Sequence, residues 1–585
     1  MTNHRQKQDE EGSQSRQRTK STREQSVNQS SKRNGEKREK RSQDGPRRDQ
    51  DGPRRGQDGP RRGQNGPRRD QDGQRRGQDG PRRGQDGPRR GQDGPRRDQD
   101  GQRRGQDGPR RDQDGPRRGQ DGPRRDQDGP RRDQDRKSNH PSHSFDHVSP
   151  ARQVALDALR ALFEEDAFLQ PVLASLADRA ELQGSDRRLA WELVLGVSRR
   201  WGTLSAVLDR QLDRGLESLP AEIQYALALG AYQLLYLDKI PSYAAVNEAV
   251  SMAKNIEPRL GGVVNRVLKV IEVEKLNGLA ELPPGPRLAA ELSHPEWWVK
   301  RQKQRIGLEA TKALAAANNE AAPLCIRLAP HIDVFEGIAE LEEEGATLTP
   351  LKWASGGFSL NHQNPFSQES HRRGDWYAQD EASQLVAQFL APTTGSRVWD
   401  VCAAPGGKSL TLLEMIGSSG ELISTDLHER KAKQLQDRLS EYPNVFVYQA
   451  DASHGAPDEQ LTPFDSILLD APCSALGVIR RHPEIRWRRT ERDITRAAKK
   501  QLKLLEAVAL SLKVGGILVY SVCTDTTEET DGVLHTFLSA FPDFALCPPE
   551  TSELWSKLLV GGVLKLSPSE HGTDGFFAAR LKRIK

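Results

Sequence analysis

The sequence predicts an α/β domain built on a parallel sheet, preceded by an all-helical domain, a small mixed connector and a polar tail that cannot build a core. Three observations carry this. The first 147 residues hold only Met1, Val27 and Phe145 as apolar side chains. From Ala151 to about Val273 apolar residues recur at three- and four-residue spacings, and after Trp376 strand-like and helix-like segments alternate. Alternation of that kind means a parallel sheet covered by helices on both faces.

The tail, residues 1–148, is expected to be disordered. From Gln43 to Asp133 a seven-residue unit, Gln-Asp-Gly-Pro-Arg-Arg-Gly or -Asp, repeats, with Gln74 and Gln102 replacing proline in two copies. A period of seven invites a coiled coil, but no position of the unit is apolar, and Gly with Pro opposes helix. Its paired arginines could engage RNA phosphates nonspecifically through counterion release; the alternative is a solubilising tail with no binding task. Before Val148 there are 40 Lys and Arg against 26 Asp and Glu, and from Val148 on 48 against 57, so the tail is +14 and the remainder −9. Net positive charge therefore speaks for the tail alone, and the body needs motifs of its own to claim a nucleic-acid partner. Without the tail the apolar content is roughly 45%, as in ordinary globular domains.

In residues 149–284 a helical bundle is expected from Val154, Leu156, Leu159, Leu162 and Phe163, then Leu189, Leu193, Val194 and Val197. Residues 285–375 mix a helical stretch holding Trp297 and Trp298 with the strand-like Leu324 to Leu328, an α/β connector. In residues 376–585 the expected strands are Arg397 to Cys402, Glu421 to Asp426, Val445 to Ala450, Ser466 to Asp470 and Ile517 to Val522, with the clearest helix from about Asp493 to Leu512. The five cysteines are odd in number and lack a CxxC spacing, which fits reduced thiols in a cytoplasm and no metal site. No run of 18 apolar residues suggests a membrane span, and the polar N-terminus does not read as a signal peptide.

Ligands of doubly wound sheets sit beyond the carboxyl ends of the strands. The first strand ends in Asp400-Val-Cys-Ala-Ala-Pro-Gly-Gly-Lys-Ser409, whose glycines let backbone approach a ligand closely. A phosphate loop is disfavoured, because the first glycine of that motif would fall on Cys402. The second strand ends at Asp426, 26 residues beyond Asp400, where such folds place an acceptor for ribose hydroxyls; the third and fourth end at Asp451 and Asp470. Carboxylates at successive strand ends suit a cofactor presenting hydroxyls and amines and repel a polyphosphate, which favours S-adenosylmethionine over NAD or ATP. Asp470-Ala-Pro-Cys473 follows the fourth strand and Tyr520-Ser-Val-Cys523 the fifth, so two thiols are expected at one rim of the sheet.

These segments, together with Ser474-Ala-Leu-Gly-Val-Ile-Arg-Arg-His-Pro-Glu-Ile-Arg-Trp487, resemble the RNA cytosine-5 methyltransferases of the Nol/Nop/Sun group, and within it the RsmB/NOP family acting on 16S rRNA. Tyr243 to Val250 and Gly262 to Leu268 are similar to the NusB-like helical domain of that family, and Asp574 to Leu581 to its closing strand. The resemblance implies a Rossmann-like S-adenosylmethionine-dependent methyltransferase domain behind a NusB-like one. It implies Cys523 as the nucleophile that adds to C6 of cytosine, Cys473 as the residue assisting proton removal and release, and Asp470 at the N3 and amino edge of the base or on the cofactor. Cofactor binding would fall to Cys402, Ala403, Ala404, Pro405, Gly406, Gly407, Lys408, Asp426, Asp451 and Asp470. Arg480, Arg481, His482, Arg486 and Arg488, with Trp487 among them, would form an RNA-binding loop of phosphate contacts and a stacked base. The implied partner is 16S rRNA, free or in an assembling small subunit. A transfer RNA substrate and a noncatalytic assembly factor are the alternatives. Val522 and Thr524 flank Cys523 where the family usually has Thr and Ser, and Glu528 and Glu529 keep the acidic pair that follows.

Overall fold

The computed structural model describes residues 147–164 and 169–585. The repeat tail, with its expected disorder and RNA contacts, lies outside the described residues. The chain enters a helical bundle of α1 (Pro150–Glu164), α2 (Leu169–Arg179), α3 (Gly184–Asp209), α4 (Ala221–Tyr236), α5 (Ser242–Ile256) and α6 (Gly261–Glu274). The three- and four-residue spacing puts Val154, Leu159 and Leu162 of α1 and Leu193, Val194 and Val197 of α3 on inward stripes of one common core. Close approach of α3 and α4 depends on Gly196, where an added Cβ would lie 2.0 Å from the Tyr232 ring.

Three further helices follow, α7 (Pro284–Leu292), α8 (Glu296–Ile306) and α9 (Leu308–Asn319), and lead into a small antiparallel sheet. Its elements are β1 (Cys325–Leu328), α10 (Val334–Glu343), β2 (Thr347–Pro350), β3 (Gly357–Asn361), α11 (Glu369–Arg373) and β4 (Trp376–Ala378), in strand order β2-β3-β1-β4. Leu328 pairs with Trp376, and the indole is buried against Ile326, Phe358 and Leu360. The boundary expected after Asp375 thus falls inside this sheet, because the large aromatic that follows it completes the connector's core.

The remaining elements alternate: α12 (Glu381–Leu390), β5 (Arg397–Asp400), α13 (Gly407–Ile416), β6 (Glu421–Asp426), α14 (Glu429–Leu439), β7 (Val445–Gln449), β8 (Phe464–Asp470), α15 (Ile485–Arg488), α16 (Glu491–Ala509) and β9 (Leu512–Val522). After them come α17 (Val533–Ala540), β10 (Phe544–Leu546), α18 (Glu553–Leu558), β11 (Leu559–Val560), β12 (Val563–Leu566), α19 (Pro568–His571) and β13 (Phe576–Arg583). Strands β7-β6-β5-β8-β9 are parallel, and β13 continues the sheet antiparallel beside β9. Trp399, Ile467, Leu469 and Tyr520 fill one face, Val398, Leu422, Leu468 and Val519 the other, which is why these strands are apolar on both sides. The strand order reverses between β5 and β8, opening a crevice at their carboxyl ends. The helix expected from Asp493 starts earlier, at Glu491, because Thr490 and Asp493 form a reciprocal cap in which the Thr490 amide donates to Asp493 Oδ2 at 3.0 Å.

Replacing Gly196 by alanine is expected to lower stability by about 1–3 kcal/mol despite alanine's better helix propensity, since the clash is with a buried ring. An unchanged denaturant midpoint would show that α3 and α4 can separate freely.

Candidate active site

Four strand ends and two loops supply the site. Between β5 and α13 the segment Cys402 to Lys408 turns tightly: the Gly406 amide donates to Ala403 O at 2.7 Å, and Gly406 has φ +96°, a conformation that L side chains rarely adopt. The loop is laid onto β6 by the Ala403 amide, which donates to Thr425 O at 2.8 Å. Burial, followed by the charges of Asp470, Asp426 and Asp400, pushes the Cys402 thiol up, so this cysteine stays protonated.

The carboxylates gather beside this loop in different states. Asp400 is fully buried; its Oδ2 accepts from Ser409 Oγ at 2.7 Å and, among the described residues, its Oδ1 has no hydrogen-bond partner. Burial raises it to about 7, against the pull of Ser409 and Lys408. Asp426 is nearly buried and accepts from the His428 amide at 3.0 Å. Asp451 is more open and caps its own turn, accepting from the Ser453 amide at 3.0 Å, which holds its carboxyl below the usual value. Asp470 is doubly engaged: Lys408 Nζ donates to Oδ2 at 2.6 Å and Ser521 Oγ to Oδ1 at 2.8 Å. Burial disfavours the Lys408 cation, but Asp470, Asp400 and Cys523 outweigh it and raise the ammonium above its ordinary value.

Cys473 Sγ and Cys523 Sγ are 3.1 Å apart. Their loops are joined by backbone: Gly477 N donates to Cys523 O at 3.0 Å and Gly575 N to Gly477 O at 2.8 Å. A Cβ on Gly477 would lie 2.0 Å from Gly575 O and 2.9 Å from Cys523 O. They are also joined by Glu529, which sequence reasoning left as half of an acidic pair. Its buried carboxylate accepts from the Ser474 amide at 2.8 Å, Ser474 Oγ at 2.5 Å, Thr526 Oγ1 at 2.8 Å and Gln501 Nε2 at 3.0 Å. Thr524 keeps one hydroxyl beside the second cysteine, and it meets Ser474 Oγ at 3.0 Å. The hydrogen bond to Cys523, burial and the nearby Glu529 charge together hold the Cys473 thiol well above its ordinary value. The two sulfurs thus face opposite charges, Glu529 near Cys473 and Lys408 near Cys523.

In the structure the loop expected to bind RNA makes contacts within the protein, with Arg480 and Arg486 buried and Arg481, His482, Trp487 and Arg488 half-buried. Arg480 and Arg481 donate through Nε to Asp574 Oδ1 and Oδ2, each at 2.7 Å, and both reach Asp380. Arg486 is fully buried, with Nη1 on Ser293 O at 3.0 Å and Nη2 on Asn318 O at 3.0 Å, and burial pushes its guanidinium well below its ordinary value. Trp487 Nε1 donates to Ser198 O of α3 at 2.7 Å, and its ring lies so close to Gly202 that an added Cβ would be 2.7 Å from it. Arg488 donates to Leu162 O of α1, and His482 lies 3.7 Å from buried Glu484. Apart from His482, whose neighbour Glu484 is in the same loop, these side chains bind protein groups of the helical bundle, the connector helices and the C-terminal segment. Spacing alone could not reveal this, because the partners lie far away in sequence.

The family described as 16S rRNA methyltransferase RsmB/F matches residues 387–582, the NusB family residues 149–272, and an RsmF/B-like ferredoxin-like domain residues 294–367. A probable ribosomal RNA small subunit methyltransferase B from Synechocystis sp. is 32% identical over 446 residues, covering 74% of this chain and 99% of the relative. The chain belongs to the RsmB/F methyltransferase family. A second relative of that printed name, from Bacillus subtilis, is 33% identical over 443 residues, covering 74% of this chain and 98% of its own. The crystal structure of PH0851 shares the fold, with TM-score 0.65 and 24% identity over 74% of this chain and 99% of that one. S-adenosylmethionine is the cofactor of this RsmB/F member. The residues present fit it: the partnerless Asp400 Oδ1 and the Asp426 carboxylate accept hydrogen bonds, which its hydroxyl and amino groups donate, beside a glycine turn that lets backbone come close. Among the described residues no helix is long and apolar enough to cross a membrane.

Two outcomes follow from this geometry. Gly477→Ala should spread the cysteine loops and slow cross-linking of Cys473 to Cys523 by a short bifunctional thiol reagent; cross-linking at the native rate would contradict the backbone clamp. Because the folded Asp400 carboxyl titrates near 7 instead of its ordinary 3.8, the folded state holds the extra proton between those values and its stability falls as pH rises through that window. Asp400→Asn should therefore gain stability relative to the native protein, on the order of a few kcal/mol, as pH goes from 5 to 8. A pH-independent difference between the two would remove this assignment.

Proposed function

We propose that the protein methylates C5 of a cytosine in 16S rRNA through a covalent adduct between Cys523 and C6 of the base. The observation carrying this reading is the contact of two thiols from separate loops, 3.1 Å apart, beside the Asp470 and Lys408 pair at the carboxyl edge of the sheet. Cytosine C5 is a weak carbon nucleophile. Once its proton has passed to solvent, the Cys523 sulfur adds to C6 as the thiolate, which breaks the C5–C6 double bond and delivers its electron pair to C5. S-adenosylmethionine, when bound, supplies an electrophilic methyl group. Asp470 and Lys408 hold a proton between them at the site and orient the N3 and amino edge of the ring. The hydrogen bond to Cys523, burial and Glu529 keep Cys473 protonated in the free protein, so it takes the C5 proton only after yielding its own to solvent; as that proton moves to the Cys473 sulfur, the C5–H electron pair restores the C5–C6 double bond and the S–C6 pair leaves on Cys523, freeing it.

Cys402 to Lys408, Asp426 and Asp451 are the proposed cofactor contacts, with Asp426 nearer the buried centre and Asp451 at the open rim. Two thiols in contact need a base that has left any helix, so an exposed or flipped nucleotide is the substrate. The names of the relatives and the NusB-like bundle favour small-subunit ribosomal RNA, and reduced thiols at the site favour the cytoplasm.

Cys523→Ala should abolish transfer of labelled methyl groups to RNA. Cys473→Ala should leave an RNA adduct that survives denaturant and migrates as a shifted band. Methyl transfer by Cys523→Ala would refute the nucleophile, and absence of the adduct would remove the release role of Cys473.

A further inference from the structure

Arg480, Arg481, Arg486 and Arg488 are engaged with protein groups, and α16 provides a further cationic surface near the two thiols. Arg492, Arg496, Lys499 and Lys503 are exposed. They stand at i, i+4, i+7 and i+11, within roughly 60° of one helical face and over about 16 Å. The opposite face of α16 grips the Cys473 loop: Gln501 Nε2 donates to Pro472 O at 3.1 Å and to Glu529. Both ends of the stripe are pinned to the reactive edge. Just before the helix, Arg489 Nε donates to Ser474 O at 3.1 Å, and near its far end Lys503 Nζ donates to Ser453 Oγ at 3.2 Å, in the turn that Asp451 caps. The stripe therefore runs along the rim that joins the thiol loop to the open end of the cofactor cleft.

Its charge is available. Arg496 reaches Asp493 at 3.4 Å with its side chain 68% exposed, and among the described residues neither Arg492 nor Lys499 has an ion-pair or hydrogen-bond partner. Since the chain from Val148 on is −9, a run of same-sign charge on one face is a local feature that repels its own kind and attracts a polyanion. We propose that this face of α16 is a phosphate track for the single-stranded RNA flanking the target base. The proposal rests on the RNA reading above and adds the surface that holds the strand. Cations on a helix meet phosphates without reading bases, so the track positions the strand and leaves base choice to the thiol pocket.

The test is equilibrium binding of the full-length protein to a cytosine-containing single-stranded RNA oligonucleotide over a series of KCl concentrations, for the native chain and R492Q/R496Q/K499Q. Three lost phosphate contacts at about 0.7 each should flatten the slope of log affinity against log salt by about two. In steady-state methyl transfer the variant should raise KM for RNA and leave kcat at saturating RNA unchanged. An unchanged slope and KM would overturn the track. Failure of the native chain to methylate cytosine would strike the catalytic reading and not the track, because the slope is read from binding alone.

Discussion

The structure depends on holding two loops from different strands so close that no side chain fits between them. Gly477 exchanges backbone hydrogen bonds with Cys523 and Gly575, and Glu529 receives donors from both loops and from α16. A buried carboxylate with four donors is stable only while all four are present; removing one leaves a charge whose desolvation is no longer compensated. The network therefore behaves as a unit, and the 3.1 Å contact of the sulfurs follows from it. Tyr520 extends the unit into the sheet, donating through its hydroxyl to Glu529 O at 2.6 Å.

The loop after β8 has two ends with different tasks. Its start carries Cys473; its finish inserts Arg486 and Trp487 among carbonyls of the connector helices and the bundle. Between them Leu476, Ile479 and Ile485 pack on Trp298, Val299 and Leu314 of α8 and α9. The helical part thus shapes the segment that carries one of the two thiols. Burying a guanidinium without a directly bonded carboxylate is costly, and the carbonyls of Ser293 and Asn318 and the amide oxygen of Asn319 offset that cost.

Charge is sorted across the cleft in the same way. Asp400 is driven toward neutrality by burial, Asp470 is matched by Lys408, and Asp451 remains at the solvent edge. Carboxylates that looked alike at four strand ends differ because depth, and not residue type, sets what each can do.

The alternation of strands and helices, the turn after Asp400 and the arrival of two cysteines at one edge were legible from local pattern, since periodicity and strand-end position depend on neighbours in sequence. The family resemblance rested on those same segments. The direction in which the arginine loop faces was not legible, nor the role of Glu529, nor the strand shared by the connector at Trp376. Each is set by partners more than 45 residues away, such as Asp574 for Arg480 and Ser474 for Glu529. The sequence determined which groups reach the carboxyl edge of the sheet; tertiary packing decided which of them meet each other and which are spent on protein, because a long cationic side chain takes whatever acceptors the fold brings within its reach.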